Sequence, residues 1–263
     1  MTVAAGFLFD DGLLFCVDTK VSGVVKTNES KLLFYRHDNG KCATVFAISS
    51  DDLNFPRAAA EACRAAVDKV NLADASIESV RKAIQSALAK FYKEHIFPHP
   101  DRTSGAVYLE MLVGIWLKHE TQLFVSHETL LTPVDAYECL GSGAYLAKYL
   151  IRQYRYGTTL ADVGLIASLA VDAAIDYDEG CGGEPEMLII HNSGEIDAIC
   201  PAVLYPGGEF AKGLQGQMWL LLFKLARATT ASETDYELER YFERLRKLND
   251  NCKYVFDSPK PQD

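Results

Sequence analysis

Thr2 directly follows Met1, and an initiator methionine is normally removed when the second residue is as small as threonine. Thr2 would then carry its hydroxyl beside a free α-amine, whose ordinary pKa is about 7.7–8.0. One residue would thus supply both a nucleophile and a general base, which is one way to activate a weak hydroxyl. Many chains begin Met-Thr, so the elements that would position Thr2 have to be considered.

Two β-hairpins are predicted before residue 50, and the first begins at Thr2. Its two apolar runs are joined by Asp11-Gly12, and glycine accepts the positive φ that a tight turn needs. A second pair of apolar runs surrounds Asn39-Gly40. The four strands are expected at 2–9, 13–18, 31–37 and 42–49.

The rest of the chain alternates between helical and extended patterns. Apolar residues recur at helical spacing in some segments, and strand-like runs lie between turn residues in others. Two strand blocks separated by helix pairs predict an α+β fold, a four-layer α-β-β-α sandwich of two antiparallel sheets. The expected elements are helices at 55–70 and 76–95, strands at 106–117, 122–127 and 134–141, helices at 143–155 and 159–177, a hairpin at 186–199, and helices near 209–228 and 233–248.

We expect one domain over residues 1–228 and a helical extension with a short flexible tail over 229–263. The extension has an apolar stripe at helical spacing, so we expect it to dock on a neighbouring subunit or on the chain's own outer helices. The stripe consists of Leu238, Tyr241, Phe242, Leu245 and Leu248.

Composition excludes several classes of protein. The 263 residues carry 26 basic and 36 acidic side chains, a formal charge of −10, which argues against a nucleic-acid binder. No apolar run approaches the roughly 20 residues of a membrane span, and no secretory signal is recognisable. The seven cysteines lack zinc-site spacing and are expected to be buried free thiols in a reducing cytoplasm. Pro98 interrupts the His95–His99 pair, so we expect no metal site there. We also expect no other histidine near the candidate functional residues.

Four motifs occur in a fixed order along the chain, and together they resemble the proteasome-type N-terminal nucleophile hydrolases. That family includes proteasome β-subunits, the peptidase of the bacterial two-component heat-shock protease and the bacterial ancestral-β-subunit peptidases. The resemblance spans roughly residues 2–200. The motifs are Thr2 with Gly12 and Asp18-Thr19-Lys20, then Lys31 before an apolar strand, then Gly141-Ser142-Gly143, then Asp-Glu-Gly-Cys-Gly-Gly at 178–183.

The resemblance implies that Thr2 is the nucleophile. Lys31 would be the cation that lowers the cost of deprotonating the Thr2 hydroxyl, and Asp18 would hold this lysine charged. The segment between Asp18 and Lys31 is a few residues shorter than is usual in the family, so Lys26 is the alternative cation. The family requires no metal and no cofactor.

The remaining site residues are also implied by the resemblance. Ser142, Asp178 and Cys181 would surround the α-amine and orient it and its attacking water. A backbone N–H at Ile48 or Ser49 would form the oxyanion hole. Two of these positions depart from the family pattern: Cys181 replaces a serine, and Ile48-Ser49 replaces a glycine pair. A thiol is the weaker hydrogen-bond donor, and a side chain at the oxyanion hole hinders substrate approach.

Two functions follow from the resemblance. The first is a self-compartmentalising, homo-oligomeric threonine peptidase in the cytoplasm, acting on peptides or unfolded proteins through an acyl-enzyme, with an ATPase as a further partner. The second is a weakly active or inert ring subunit that serves as a scaffold; an amide hydrolase of small molecules is more distant. Simpler structural roles also stand, with Asp18 capping a turn and Lys31 protecting a sheet edge.

Overall fold

The computed structural model describes residues 2–21, 27–50, 52–98, 109–154, 157–199, 220–227 and 230–256, together with residues 213 and 216. The strands are β1 (Ala4–Phe9), β2 (Gly12–Val17), β3 (Lys20–Val21), β4 (Thr27–Asn28), β5 (Leu32–His37), β6 (Cys42–Ser49), β7 (Glu110–Leu117), β8 (Glu120–His127), β9 (Leu130–Val134), β10 (Tyr137–Leu140), β11 (Glu186–His191) and β12 (Ile196–Ile199). The helices are α1 (Asn54–Val67), α2 (Ile77–Phe91), α3 (Ala144–Tyr154), α4 (Leu160–Tyr177) and α5 (Ala231–Phe256), and a π-helical turn, Tyr92–Ile96, extends α2.

Two five-stranded antiparallel sheets form the centre of the molecule. Sheet I has the strand order β10-β1-β2-β11-β12, and sheet II has the order β5-β6-β7-β8-β9. The two predicted hairpins are present, as β1–β2 and β5–β6. The first hairpin belongs to sheet I and the second to sheet II, so the strands before residue 50 contribute to both sheets.

Three layers of apolar contact hold the sandwich together. One cluster lies between the sheets and includes Phe15 and Leu112. A second packs α1 and α2 on sheet II, and a third packs α3 and α4 on sheet I. The predicted α-β-β-α architecture is therefore confirmed.

The predicted strand 134–141 is wrong as a single element. Its residues form the end of β9 in sheet II and all of β10 in sheet I, so the chain changes sheets around residues 135–136. Pro133 lies in β9, which is an edge strand, where the missing proline N–H costs no ladder bond. The chain then leaves that edge and pairs with β1.

The predicted C-terminal helices are found where the structure describes them. Residues 220–227 are helical, and α5 is longer than the expected 233–248. Within the described residues α5 has no extensive backbone contact with the sandwich, and Tyr236 and Phe242 are more than half exposed. α5 contacts the helical residues 220–227, where Lys224 forms an ion pair with Glu237 at 2.7 Å. Docking of α5 on the outer helices of the sandwich or on a neighbouring subunit stays a prediction, and the side chains of Leu245 and Leu248 lie outside the described residues.

Candidate active site

The β1–β2 hairpin brings Thr2 and Asp18 together. Its register pairs Ala4 with Val17, so the residues just before β1 lie opposite the residues just after β2. Asp18 N–H donates to the Val3 carbonyl at 3.1 Å, and the Thr2 hydroxyl donates to Asp18 Oδ1 at 3.2 Å. Both side chains are buried. The contact therefore follows from the register of one short hairpin.

Lys31 reaches the same carboxylate from the other sheet. It directly precedes β5, and its Nζ donates to Asp18 Oδ1 at 2.7 Å, with both side chains at most 1% exposed. Burial lowers the pKa of Lys31 below its ordinary value, and the Asp18 carboxylate opposes that shift. A fully buried lysine is not a solvent-facing guard of a sheet edge, so that structural alternative is wrong.

Asp18 is held by backbone donors as well. Val3 N–H donates to its Oδ1 at 2.9 Å, and Gly182 N–H donates to its Oδ2 at 3.0 Å. With Thr2 and Lys31, the carboxylate accepts from four donors that lie on three separate segments of the chain. Asp18 therefore joins the start of β1, the start of β5 and the glycine-rich turn after α4 into one buried network.

The turn at 141–143, which belongs to the predicted α-amine network, packs against Thr2. Gly143 N–H donates to the Thr2 carbonyl at 3.1 Å. Gly141 has a φ of +86°, and a Cβ there would lie 2.2 Å from the Thr2 carbonyl oxygen. Position 141 thus requires glycine for both its conformation and its close approach. This turn places Ser142 beside Thr2 and within hydrogen-bonding reach of Asp178.

Asp178 directly follows α4 and accepts hydrogen bonds from three neighbouring residues. Burial by itself would raise the pKa of this carboxyl, but hydrogen bonds from Ser142, the Gly180 N–H and Cys181 outweigh burial and lower it. The Gly180 N–H lies 2.8 Å from Oδ1, and the Cys181 Sγ lies 3.5 Å from Oδ2. Burial raises the pKa of Cys181 to about 12. The thiol therefore stays protonated and donates to Asp178.

The two candidate oxyanion amides are not equivalent. The Ile48 N–H donates to the Lys31 carbonyl at 3.0 Å, as part of the β5–β6 side of sheet II. An amide already paired in this way does not bind an oxyanion, so the assignment of Ile48 is wrong for this conformation. Successive amides of a strand point to opposite neighbours. The Ser49 N–H is thus directed toward β7, where Ser49 is in register with Glu110, and its role as the oxyanion donor stays a prediction.

Lys26 and His99 lie outside the described residues, and Lys31 occupies the position beside Asp18. Five cysteines, Cys16, Cys42, Cys63, Cys139 and Cys181, are buried and free. Within the described ranges no group of three or more His, Cys, Asp or Glu residues has the geometry of a metal site. None of the described helices is both long and apolar enough to cross a membrane.

A pocket beside Thr2 contains residues that the motifs did not identify. Ser49, Gly141 and Ser142 line part of it, and Glu110, His127 and Glu138 line another part. The expectation that no further histidine lies near the site is therefore wrong. The signal was present in the sequence, because strand alternation puts Glu110 on the same face as Leu112, which lies between the sheets.

Comparisons with known proteins agree with this fold. No family model matches the chain. Proteasome subunit beta 2 of Pyrobaculum neutrophilum is 30% identical over 127 residues, which cover 48% of this chain and 61% of that protein. The chain thus spans less than two thirds of the curated relative's length.

Solved structures of Anbu, the ancestral beta-subunit, are similar over most of both chains. The Gly-1 mutant from Hyphomicrobium sp. strain MC1 has a TM-score of 0.68 at 15% identity, covering 83% of this chain and 96% of that chain. Anbu from Yersinia bercovieri has a TM-score of 0.66 at 16% identity, covering 81% and 95%. Anbu from Pseudomonas aeruginosa, described as a helical assembly, has 0.66 at 13% identity, covering 82% and 95%. The chain therefore has the proteasome-like N-terminal nucleophile hydrolase fold, and the resemblance found in its motifs is confirmed.

Proposed function

We propose that this chain is a threonine peptidase that acts once Met1 has been removed. The proposal starts from its proteasome-like fold. The observation that carries the proposal is the buried contact of the Thr2 hydroxyl with Asp18, which also holds Lys31 at 2.7 Å. A hydroxyl beside an ammonium group is easier to deprotonate because the cation stabilises the alkoxide. The free α-amine of Thr2 would supply the base.

In the first step the α-amine takes the proton of the Thr2 hydroxyl through a bridging water, and Oγ1 attacks the peptide carbonyl. The negative charge moves to the carbonyl oxygen, which the Ser49 N–H would stabilise. The C–N bond then breaks, and the protonated α-amine returns the proton to the leaving amine. An ester between Thr2 Oγ1 and the substrate acyl group remains.

In the second step the free α-amine activates a water molecule. The water attacks the ester, and the Thr2 oxygen leaves and recovers a proton from the α-ammonium. Ser142 and Asp178 would orient the amine in both steps, which is supported by the hydrogen bond between them and by the packing of the turn at 141–143 on Thr2. The Lys31 ammonium would stabilise the negative charge on Thr2 Oγ1 whenever it develops.

An electrophilic peptide probe tests the proposal directly. Intact mass should show loss of Met1, followed by one probe adduct that maps to Thr2, and Thr2→Ala should give no adduct. Thr19→Ala is the matched control, because its hydroxyl donates to the Glu184 carbonyl instead of lying in the Asp18 group, and it should still be labelled. Retention of Met1, or an adduct on a cysteine, would reject the peptidase.

A weakly active or inert scaffold subunit is the second candidate. It is favoured by the Ile48 N–H, which is engaged with the Lys31 carbonyl where a peptidase needs a free oxyanion donor. The same probe separates the two functions, because a scaffold would assemble normally without forming an adduct at Thr2.

The wider setting forms part of the proposal. Peptides or unfolded proteins are the proposed substrates, and the buried free cysteines support a cytoplasmic location. We propose homo-oligomers, supported by the Pseudomonas aeruginosa Anbu described as a helical assembly, and an ATPase as a further partner. Residues 1–228 would form the peptidase domain. The extension 229–263 would contact neighbouring subunits, which is supported by the exposed apolar residues of α5.

A further inference from the structure

The pocket beside Thr2 opens at the end of the inter-sheet core. Its volume is about 380 Å³, enough for an amino-acid side chain. One wall is the Gly141–Ser142 turn that packs against Thr2, and the opposite wall is formed by the ends of β7 and β8. The pocket therefore shares the Gly141–Ser142 turn with the candidate active site.

The inner faces of the sheets change character at this pocket. Along β7, β8 and β10 the neighbouring inward positions are the apolar Leu112, Val125 and Leu140, which lie in the inter-sheet cluster. Side chains two residues apart share a face of a strand. The next inward positions, Glu110, His127 and Glu138, are all titratable, and they all line the pocket. Three titratable side chains at the end of an apolar face indicate a binding surface for a polar group.

The charges of the pocket favour a cation. Glu138 forms an ion pair with Lys148 and also accepts the Cys139 N–H at 2.8 Å. The Glu110 carboxylate has no hydrogen bond or ion pair with any residue in the part of the chain that the structure describes. Glu110 is therefore a carboxylate in addition to the Glu138–Lys148 ion pair. A ligand with a positive charge would supply the partner that Glu110 lacks.

The position of the pocket fixes which part of a peptide would enter it. The leaving amine must receive a proton from the α-ammonium of Thr2, so the leaving part of the substrate lies on the amine's side. Ser142, which with Asp178 would orient that amine, lines the pocket. We propose that this pocket binds the residue directly after the scissile bond and selects lysine or arginine there through Glu110. This inference rests on the proposed peptidase function.

The test is a digest of a mixed set of synthetic 14-residue peptides, with the cut sites identified by mass spectrometry. We expect lysine and arginine to be enriched over aspartate and glutamate directly after the cut by about tenfold or more. Glu110→Gln should reduce that enrichment about tenfold, measured as the ratio of cuts before lysine or arginine to cuts before uncharged residues. The control is Glu120→Gln, an exposed carboxylate at the far end of β8, which should leave the pattern unchanged. Equal patterns in wild type and Glu110→Gln would overturn the proposal.

A binding measurement separates this inference from the peptidase itself. Fluorescent (Ala-Lys)₃ and (Ala-Gln)₃ peptides are titrated against Thr2→Ala protein, which needs no turnover. Tighter binding of the lysine peptide that disappears in the Thr2→Ala/Glu110→Gln variant supports the pocket even if the Thr2 probe fails. Successful Thr2 labelling without any preference for lysine in either assay keeps the peptidase and rejects the cationic pocket.

Discussion

The buried Asp18–Lys31 pair makes a quantitative prediction about stability. The two groups are 2.7 Å apart, and both side chains are at most 1% exposed. Lys31→Met keeps most of the side-chain volume but leaves the Asp18 carboxylate without its counter-charge. Removing one partner of a buried pair costs about 3–5 kcal/mol.

Two features put the expected loss of unfolding free energy in Lys31→Met at about 3 kcal/mol, the lower end of that range. Asp18 keeps the backbone donors Val3 N–H at 2.9 Å and Gly182 N–H at 3.0 Å. Burial also lowers the pKa of Lys31, which means that desolvation of the ammonium opposes folding in the wild type. Methionine removes that desolvation cost.

Urea unfolding at fixed protein concentration gives the measurement. The double variant Asp18→Asn/Lys31→Met carries no buried charge at this point. Its loss of unfolding free energy should be smaller than the sum of the losses in the two single variants by at least about 2 kcal/mol. Lys41→Met is the control, since its ion pair with Asp38 is 59% and 45% exposed, and such a pair contributes at most about 1 kcal/mol. Additive losses at positions 18 and 31 would refute a coupled buried pair.

Four further predictions concern the thiol, the base and the C-terminal extension. Because burial raises the pKa of Cys181 to about 12, its thiolate fraction at pH 8 is about 10³-fold below that of an ordinary cysteine. Iodoacetamide should therefore modify Cys181 only after the protein unfolds, and rapid labelling of Cys181 in the folded protein would contradict this. Cys181→Ser should keep or raise turnover, because a hydroxyl donates better to Asp178, and a loss beyond about tenfold, near 1.4 kcal/mol, would give the thiol its own role. Peptidase activity should rise with pH as the α-amine loses its proton, at or below about 7.7–8.0 because Lys31 disfavours the ammonium, and a flat profile from about pH 6 to 9 would exclude the amine as base. Removal of residues 229–263 should give a smaller oligomer by native mass spectrometry, and an unchanged oligomer would remove the assembly role from α5.

The parts of the fold that depend on local pattern were predictable from the sequence. Asp11-Gly12 set the β1–β2 turn, and that turn fixes the register that places Thr2 beside Asp18. That turn needs only a few neighbouring residues, so one sequence is sufficient to identify it. The requirement for glycine at position 141 is different, because its contact with Thr2 joins residues far apart in the chain.

The choice of sheet for each strand was not predictable in the same way. Residues 134–141 have the composition of a strand, but composition does not say which strand is the partner. The change from β9 to β10 depends on β1 offering an unpaired edge to Tyr137–Leu140, far away in the sequence. Pro133 was a usable sign of an edge strand, although it does not say where the chain goes next.

The oxyanion position and the acidic pocket both show what motif matching cannot predict. Matching motifs identified Ile48 by its place in the sequence, but whether an amide is available depends on its hydrogen-bond partner, and here the Lys31 carbonyl already occupies it. Glu110 was missed because no motif includes it, although the alternation of β7 alone puts a carboxylate on an inward face. Charged residues are seldom placed on such a face without a partner. An acidic residue that breaks an inward apolar series therefore indicates function even where no motif exists, and at Glu110 it points to the substrate's own charge.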